Sequence, residues 1–191
     1  EVLHPQAGPW QAGYLPVRQL RGRATLPGAA QASSLAAMLA SGQLHVVAGL
    51  PGQAGSQLAL DGSWDGRASK PVKGANRLQL HVTDVDLQAL DGRAPALVLS
   101  GDVGAVADSL KQAGQGWASV PWALTSELSG QYLAAGKGGR SSPQTVTASL
   151  RGGWQGGAVR VDALSLRADA AQANLKGVAT YAQPEKSGER W

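Results

Sequence analysis

The sequence predicts an all-β fold, an elongated and curved sheet with one or two short helices, and three observations point to it. The first is a recurring phrase. Leu60-Asp-Gly62-Ser-Trp64 returns as Leu150-Arg-Gly152-Gly-Trp154, and Trp10-Gln-Ala-Gly-Tyr-Leu-Pro-Val-Arg-Gln-Leu20 matches Trp154-Gln-Gly-Gly-Ala-Val-Arg-Val-Asp-Ala-Leu164 in Trp, Gln, Gly, Val and Leu at identical offsets. Such self-similarity marks one supersecondary unit used several times, each unable to bury its apolar face alone. The second is strict alternation of apolar and polar residues, the period of a half-buried strand. The third is composition: Phe is absent, aromatic residues make up only 5%, and the 43% apolar content is mostly Ala, Leu and Val. Those side chains fill a thin layer better than a deep centre.

Taken in order, residues 29–40 carry Leu35, Met38 and Leu39 at helical spacing, with Gly42 as a stop, and predict a helix. Residues 42–49 predict a strand. Leu58, Leu60, Gly62 and Trp64 share one parity and so one face of the next strand, with Gly leaving room for the indole. Leu78-Gln-Leu80-His-Val82 alternates, but the apolar positions then resume at Val85 and Leu87. A one-residue slip turns the apolar set to the wrong face unless a β-bulge absorbs it. Residues 93–100 predict a strand, and 102–112 a helix with Val103, Val106 and Leu110 on one side. Residues 114–116 read as a loop and 124–133 as a strand. The Gly-rich run 136–143 reads as a loop and marks a weak boundary in an otherwise single β-rich region spanning 1–183.

Val146, Ala148, Leu150, Gly152 and Trp154 repeat the single-parity pattern. Val159-Arg-Val161 repeats the slip, with apolar positions resuming at Leu164 and Leu166 past Asp162, so one bent strand is expected twice. Residues 173–181 predict the last strand and 184–191 a disordered tail. Leu-x-Gly occurs nine times, where the frequencies of Leu and Gly in random order would give about three, and the copies away from Pro are placed to permit bulges or tight returns.

Chemistry is sparse. With no Cys there is neither a disulfide framework nor a thiolate metal site. His4, His45 and His81 have no partner at metal-ligand spacing, and His81 is expected to be solvated on a polar strand face. Asp84 and Asp86, at i and i+2, match neither a Ca²⁺ loop nor an organised acid and base pair, and are expected to guard a sheet edge. No nucleophile elbow or phosphate loop is present, so no enzyme is predicted, and neither cofactor nor metal. The net charge of +4 is spread along the chain without interleaved aromatics, which argues against nucleic acid. No apolar run of bilayer-spanning length occurs. The start, Glu1-Val-Leu-His, carries neither Met nor a leader pattern, and the expectation is a piece of a longer chain.

Thr147-Ala-Ser-Leu-Arg-Gly-Gly-Trp154, Val159-Arg-Val-Asp-Ala-Leu-Ser-Leu166 and Asn174-Leu-Lys-Gly-Val-Ala-Thr-Tyr181 together resemble the TamB and AsmA-like family of periplasmic proteins. The resemblance is one of rhythm, covering about 35 residues with a fainter copy over 57–90. It implies a sheet folded lengthwise into a U-shaped apolar trough, a β-taco, in a parent chain anchored in the inner membrane and lying in the periplasm or cell envelope. The implied cargo is phospholipid acyl chains or strands of unfolded outer-membrane protein, carried between the two membranes without catalysis, and the implied partner of the parent chain is an outer-membrane β-barrel. An aliphatic wall with few polar groups favours lipid. Leu58, Leu60, Leu78, Leu80, Val82, Val146, Leu150, Val159, Val161, Leu164 and Leu166 are the expected groove lining, and Trp64 and Trp154 the aromatics at its mouth. Alternating strands serve a closed core equally well, so the alternative is a structural or adhesin-like β-sandwich repeat of a cell-surface protein.

Overall fold

The computed structural model describes residues 1–3, 7–27, 41–66, 70, 72–111, 119–135, 141–156, 158–168 and 171–180. They form one antiparallel sheet of ten strands whose spatial order is the chain order. The strands are β1 (Val2–Leu3), β2 (Gln19–Thr25), β3 (Ser41–Gly49), β4 (Gln57–Asp65), β5 (Asn76–Asp86), β6 (Leu97–Ala107), β7 (Trp122–Ala135), β8 (Ser141–Gln155), β9 (Ala158–Ala168) and β10 (Ala171–Thr180). The helical elements described in full are a 3-10 turn at Trp10–Ala12 and a one-turn helix α1 (Leu87–Leu90). The sheet is open, since β1 and β10 do not pair. It is one continuous sheet, where the alternative β-sandwich calls for two.

The helix expected at 102–112 is not there. Residues 102–107 are the second half of β6, held between β5 and β7. Val103 and Val106 fit a helical spacing, but Val103, Ala105 and Ala107 also alternate, and Gly101, Gly104 and two β-branched valines disfavour a helix. Tertiary pairing decides the outcome. Residues 141–143, read as loop, begin β8 and pair with the end of β7, Ala135 opposite Ser141. The helix expected at 29–40, the loop at 114–116 and the tail at 184–191 lie outside the described residues.

Both phase slips are β-bulges. Val82 lies opposite Gly101 and Val85 opposite Leu99, so β5 carries one extra residue. Asp84 occupies it with φ 46°, its N–H donating to Ser100 Oγ at 2.9 Å while the Ser100 hydroxyl donates back to Asp84 Oδ1 at 3.0 Å. In β9 the pairs Arg151 with Ala163 and Gly152 with Val161 leave Asp162 as the extra residue. The strand opposite each bulge supplies a glycine from a Leu-x-Gly triplet. A Cβ on Gly101 would lie 2.1 Å from the Glu127 carbonyl oxygen, and one on Gly152 would lie 2.2 Å from that of Arg160. No other residue fits so close an approach of two backbones. Bulges bend a strand and increase its twist, so the same bent unit recurs in the two halves of the sheet.

Asp84 and Asp86 therefore do not guard an edge, because β5 is an interior strand. Asp86 caps α1, its Oδ1 accepting from the N–H groups of Gln88 at 3.0 Å and Ala89 at 3.2 Å.

Candidate functional site

Directly opposed residues of an antiparallel pair project to the same face. The register therefore assigns each strand residue to a face, and one face is aliphatic from edge to edge. Its central row runs Val46, Leu60, Leu80, Val103, Ser126, Leu150, Leu164, Leu175 across β3 to β10. Next to it runs the row Leu20, Ala48, Leu58, Val82, Gly101, Leu128, Ala148, Leu166, Ala173. On its other side lie Ala24, Leu44, Gly62, Leu78, Ala105, Leu124, Gly152, Val161 and Gly177. Ser126 is the single polar side chain in the three rows.

All eleven residues expected to line a groove lie on this face. Leu58, Leu60, Leu78, Leu80 and Val82 come from β4 and β5, and Val146, Leu150, Val159, Val161, Leu164 and Leu166 from β8 and β9. The two bulges keep the halves in phase: without them Leu164 and Leu166 would turn outward with Asp162. Ten of the eleven are half-buried and Leu166 is 43% exposed. The buried apolar side chains among the described residues are instead Leu50, Val85, Ala107, Leu110 and Val120. Among the described residues no second layer of sheet or helix packs over the aliphatic face.

Trp64, Trp122 and Trp154 lie on this face where β4, β7 and β8 reach the same side of the sheet, Trp122 directly opposite Trp154. Ala107, Leu110 and Val120 form a small core against which Trp64 and Trp122 pack. Asn76, 1% exposed, locks this rim by donating to the Ala107 carbonyl at 3.0 Å and accepting from the Asp65 N–H at 2.9 Å. The aromatics thus sit at a strand-end margin of the aliphatic face, where a groove mouth was expected, and Trp122 joins the two tryptophans picked out from sequence.

The opposite face is polar and carries a network that the linear sequence does not reveal. His45 Nδ1 lies 2.7 Å from Asp61 Oδ1, His81 Nδ1 contacts Asp102 Oδ1, and His81 Nε2 lies 3.9 Å from Asp61 Oδ2. Arg23 is directly opposite His45 and Glu127 directly opposite Asp102. Arg23, His45, Asp61, His81 and Asp102 border a hollow of about 690 Å³. His81, expected to be solvated on a polar strand face, is about half exposed there and also contacts Asp102 and Asp61, because residues separated by 16 or more positions meet only once the register is set. The side chains involved are about half exposed, so each pair contributes little to stability. Among the described residues no group of three or more His, Asp or Glu side chains is arranged to hold a metal ion, and no helix is long and apolar enough to cross a membrane.

Compared with protein-family models, curated proteins and solved structures, the chain matches none.

Proposed function

We propose that this chain is a non-catalytic carrier of hydrophobic cargo in the cell envelope, its aliphatic sheet face holding the acyl chains of phospholipid between the inner and outer membranes. One observation carries the reading: an aliphatic surface from β2 to β10, broken in its three central rows only by Ser126, half-buried and without a described cover. A continuous apolar surface of this extent marks a binding surface for apolar material. Glycines and bulges that bend the sheet toward a trough support it further. So does the resemblance of its repeat rhythm to the TamB and AsmA-like proteins, from which the periplasmic location, the anchored parent chain and the outer-membrane β-barrel partner are taken.

A second reading of the cargo, strands of unfolded outer-membrane protein, is favoured by the free edge. Among the described residues β10 pairs only with β9, and its described side chains are all exposed. Such an edge accepts an added strand.

The test is organic extraction of protein purified without detergent, followed by mass spectrometry. Phospholipid recovered above a matched control protein supports the lipid reading. Repeated recovery of none rejects it.

A further inference from the structure

The β1–β2 hairpin differs in surface from the rest of the sheet. Of the ten large apolar residues that are exposed among the described ones, six lie in its strands or their connection: Val2, Leu3, Trp10, Tyr14, Leu15 and Leu20. Trp10 is 63% exposed. The connection is a loop closed on itself. The Gly8 N–H donates to the Leu15 carbonyl at 3.4 Å, the Gly13 N–H, at φ 76°, donates to that of Trp10 at 2.9 Å, and the Tyr14 ring packs on Gly8. At its base the Arg18 N–H donates to the Gly49 carbonyl at 2.8 Å, and the Gln11 side chain lies against Gly92. The backbone is thus held in place while the indole and the phenol stay exposed.

Charge in this region has one dominant sign. Arg18, Arg21 and Arg23 follow the loop and are all exposed, and Glu1 is the only carboxylate among the first 60 residues. Glu1 is tied to Arg21 at 3.0 Å, whereas Arg18 and Arg23 make no ion pair among the described residues. Exposed Trp and Tyr rings beside arginines complement an anionic membrane–water interface, where the rings sit at headgroup level and guanidinium groups meet lipid phosphates. The hairpin is also continuous with the aliphatic face. Val2 lies opposite Leu20, and Leu20 begins the row that crosses the sheet to Ala173.

We propose that the β1–β2 hairpin docks the chain on an anionic membrane surface, with Trp10, Tyr14 and Leu15 entering the headgroup layer and Arg18, Arg21 and Arg23 against its phosphates. The aliphatic face then meets the bilayer at Val2 and Leu20. That the contact passes phospholipid to this face rests on the lipid-carrying reading above; the contact itself does not.

The test floats the purified chain with vesicles of phosphatidylcholine alone and of phosphatidylcholine mixed with phosphatidylglycerol, in low and in high salt. Binding to the anionic vesicles that weakens in high salt is the expected result. Trp10→Ala should weaken it about tenfold, the effect of losing one large apolar group from the interface. Arg18→Gln and Arg23→Gln should each weaken it about fivefold. Val178→Ala, which removes a similarly exposed apolar group at the far margin, should leave it unchanged. All four side chains are exposed, so the melting transition should stay in place. Binding that Trp10→Ala leaves unchanged, or no binding to either vesicle, overturns the proposal. Self-association that Trp10→Ala abolishes, without vesicle binding, overturns it in favour of a contact between copies. Phospholipid extracted from a chain that does not float overturns the docking and leaves the carrier reading standing. A chain that floats but yields no phospholipid on extraction supports the docking and rejects the carrier.

Discussion

Leu80 and Val161 lie in the corresponding alternating segments, one in each bulged strand, and both are half-buried on the aliphatic face. A carboxylate there remains within reach of water, whereas one enclosed in a two-layer core would cost several kcal/mol. Leu80→Asp and Val161→Asp should each give folded protein with a cooperative melting transition that no longer takes up a fluorescent phospholipid. Gln79→Asp and Thr147→Asp, on the polar face, should leave uptake unchanged. Loss of the melting transition in both inward variants would place these residues in a closed core. The residue scale also holds one titration effect. The Arg93 side chain, at 3.0 and 2.6 Å, and its N–H hold the Asp91 carboxyl down to about 2. A carboxyl lowered on folding stabilises above its ordinary value of 3.8 and loses that contribution as pH falls toward 2. The pair is exposed, so the effect on stability is small. Arg93→Ala should return Asp91 toward 3.8 in an NMR titration. Of the site residues, the aliphatic ones were legible in the sequence because alternation is local. The His45–Asp61–His81–Asp102 network was not, because it depends on which strands become neighbours and in what register.

The bulged strand facing a glycine is the repeating element, and it accounts for two of the nine Leu-x-Gly triplets. Gly101→Ala and Gly152→Ala each press a methyl against a carbonyl oxygen, and Gly101 also has φ 142°. Each should cost on the order of 1–3 kcal/mol by chemical denaturation. Gly177→Ala, with nothing within 4 Å of the added carbon, should cost far less. Deleting Asp162 is the complementary change. The pairs on either side, Val161 with Gly152 and Ala163 with Arg151, then close into regular register with every side chain still on its face. The variant should melt cooperatively and keep its strand circular dichroism, but bind less phospholipid because the bend is gone. Unchanged uptake would show that the bulge does not shape the binding surface. At this scale the phase slips at Asp84 and Asp162 were legible as bulges. The second half of β6 was not, because Val103, Val106 and Leu110 satisfy a helical period and only pairing with β5 and β7 settles the conflict.

At the scale of the whole molecule, a single layer of strands in chain order leaves a broad aliphatic face that no described layer covers. At its margin Leu175 in β10 is 60% exposed. A sheet with this distribution gains its stability from strand pairing and lateral packing of side chains. The absence of Cys from the chain allows a direct test of which face takes the cargo. Single cysteines placed at Leu80 and Leu150 on the aliphatic face, and at Thr147 and Ser149 on the polar face, are labelled with a fluorophore. Each labelled protein is then mixed with phospholipid brominated along its acyl chains, a quencher that acts only at contact range. Quenching at Leu80→Cys and Leu150→Cys, with none at Thr147→Cys and Ser149→Cys, is the predicted result. Equal quenching on both faces, or none on the aliphatic face, would contradict the account.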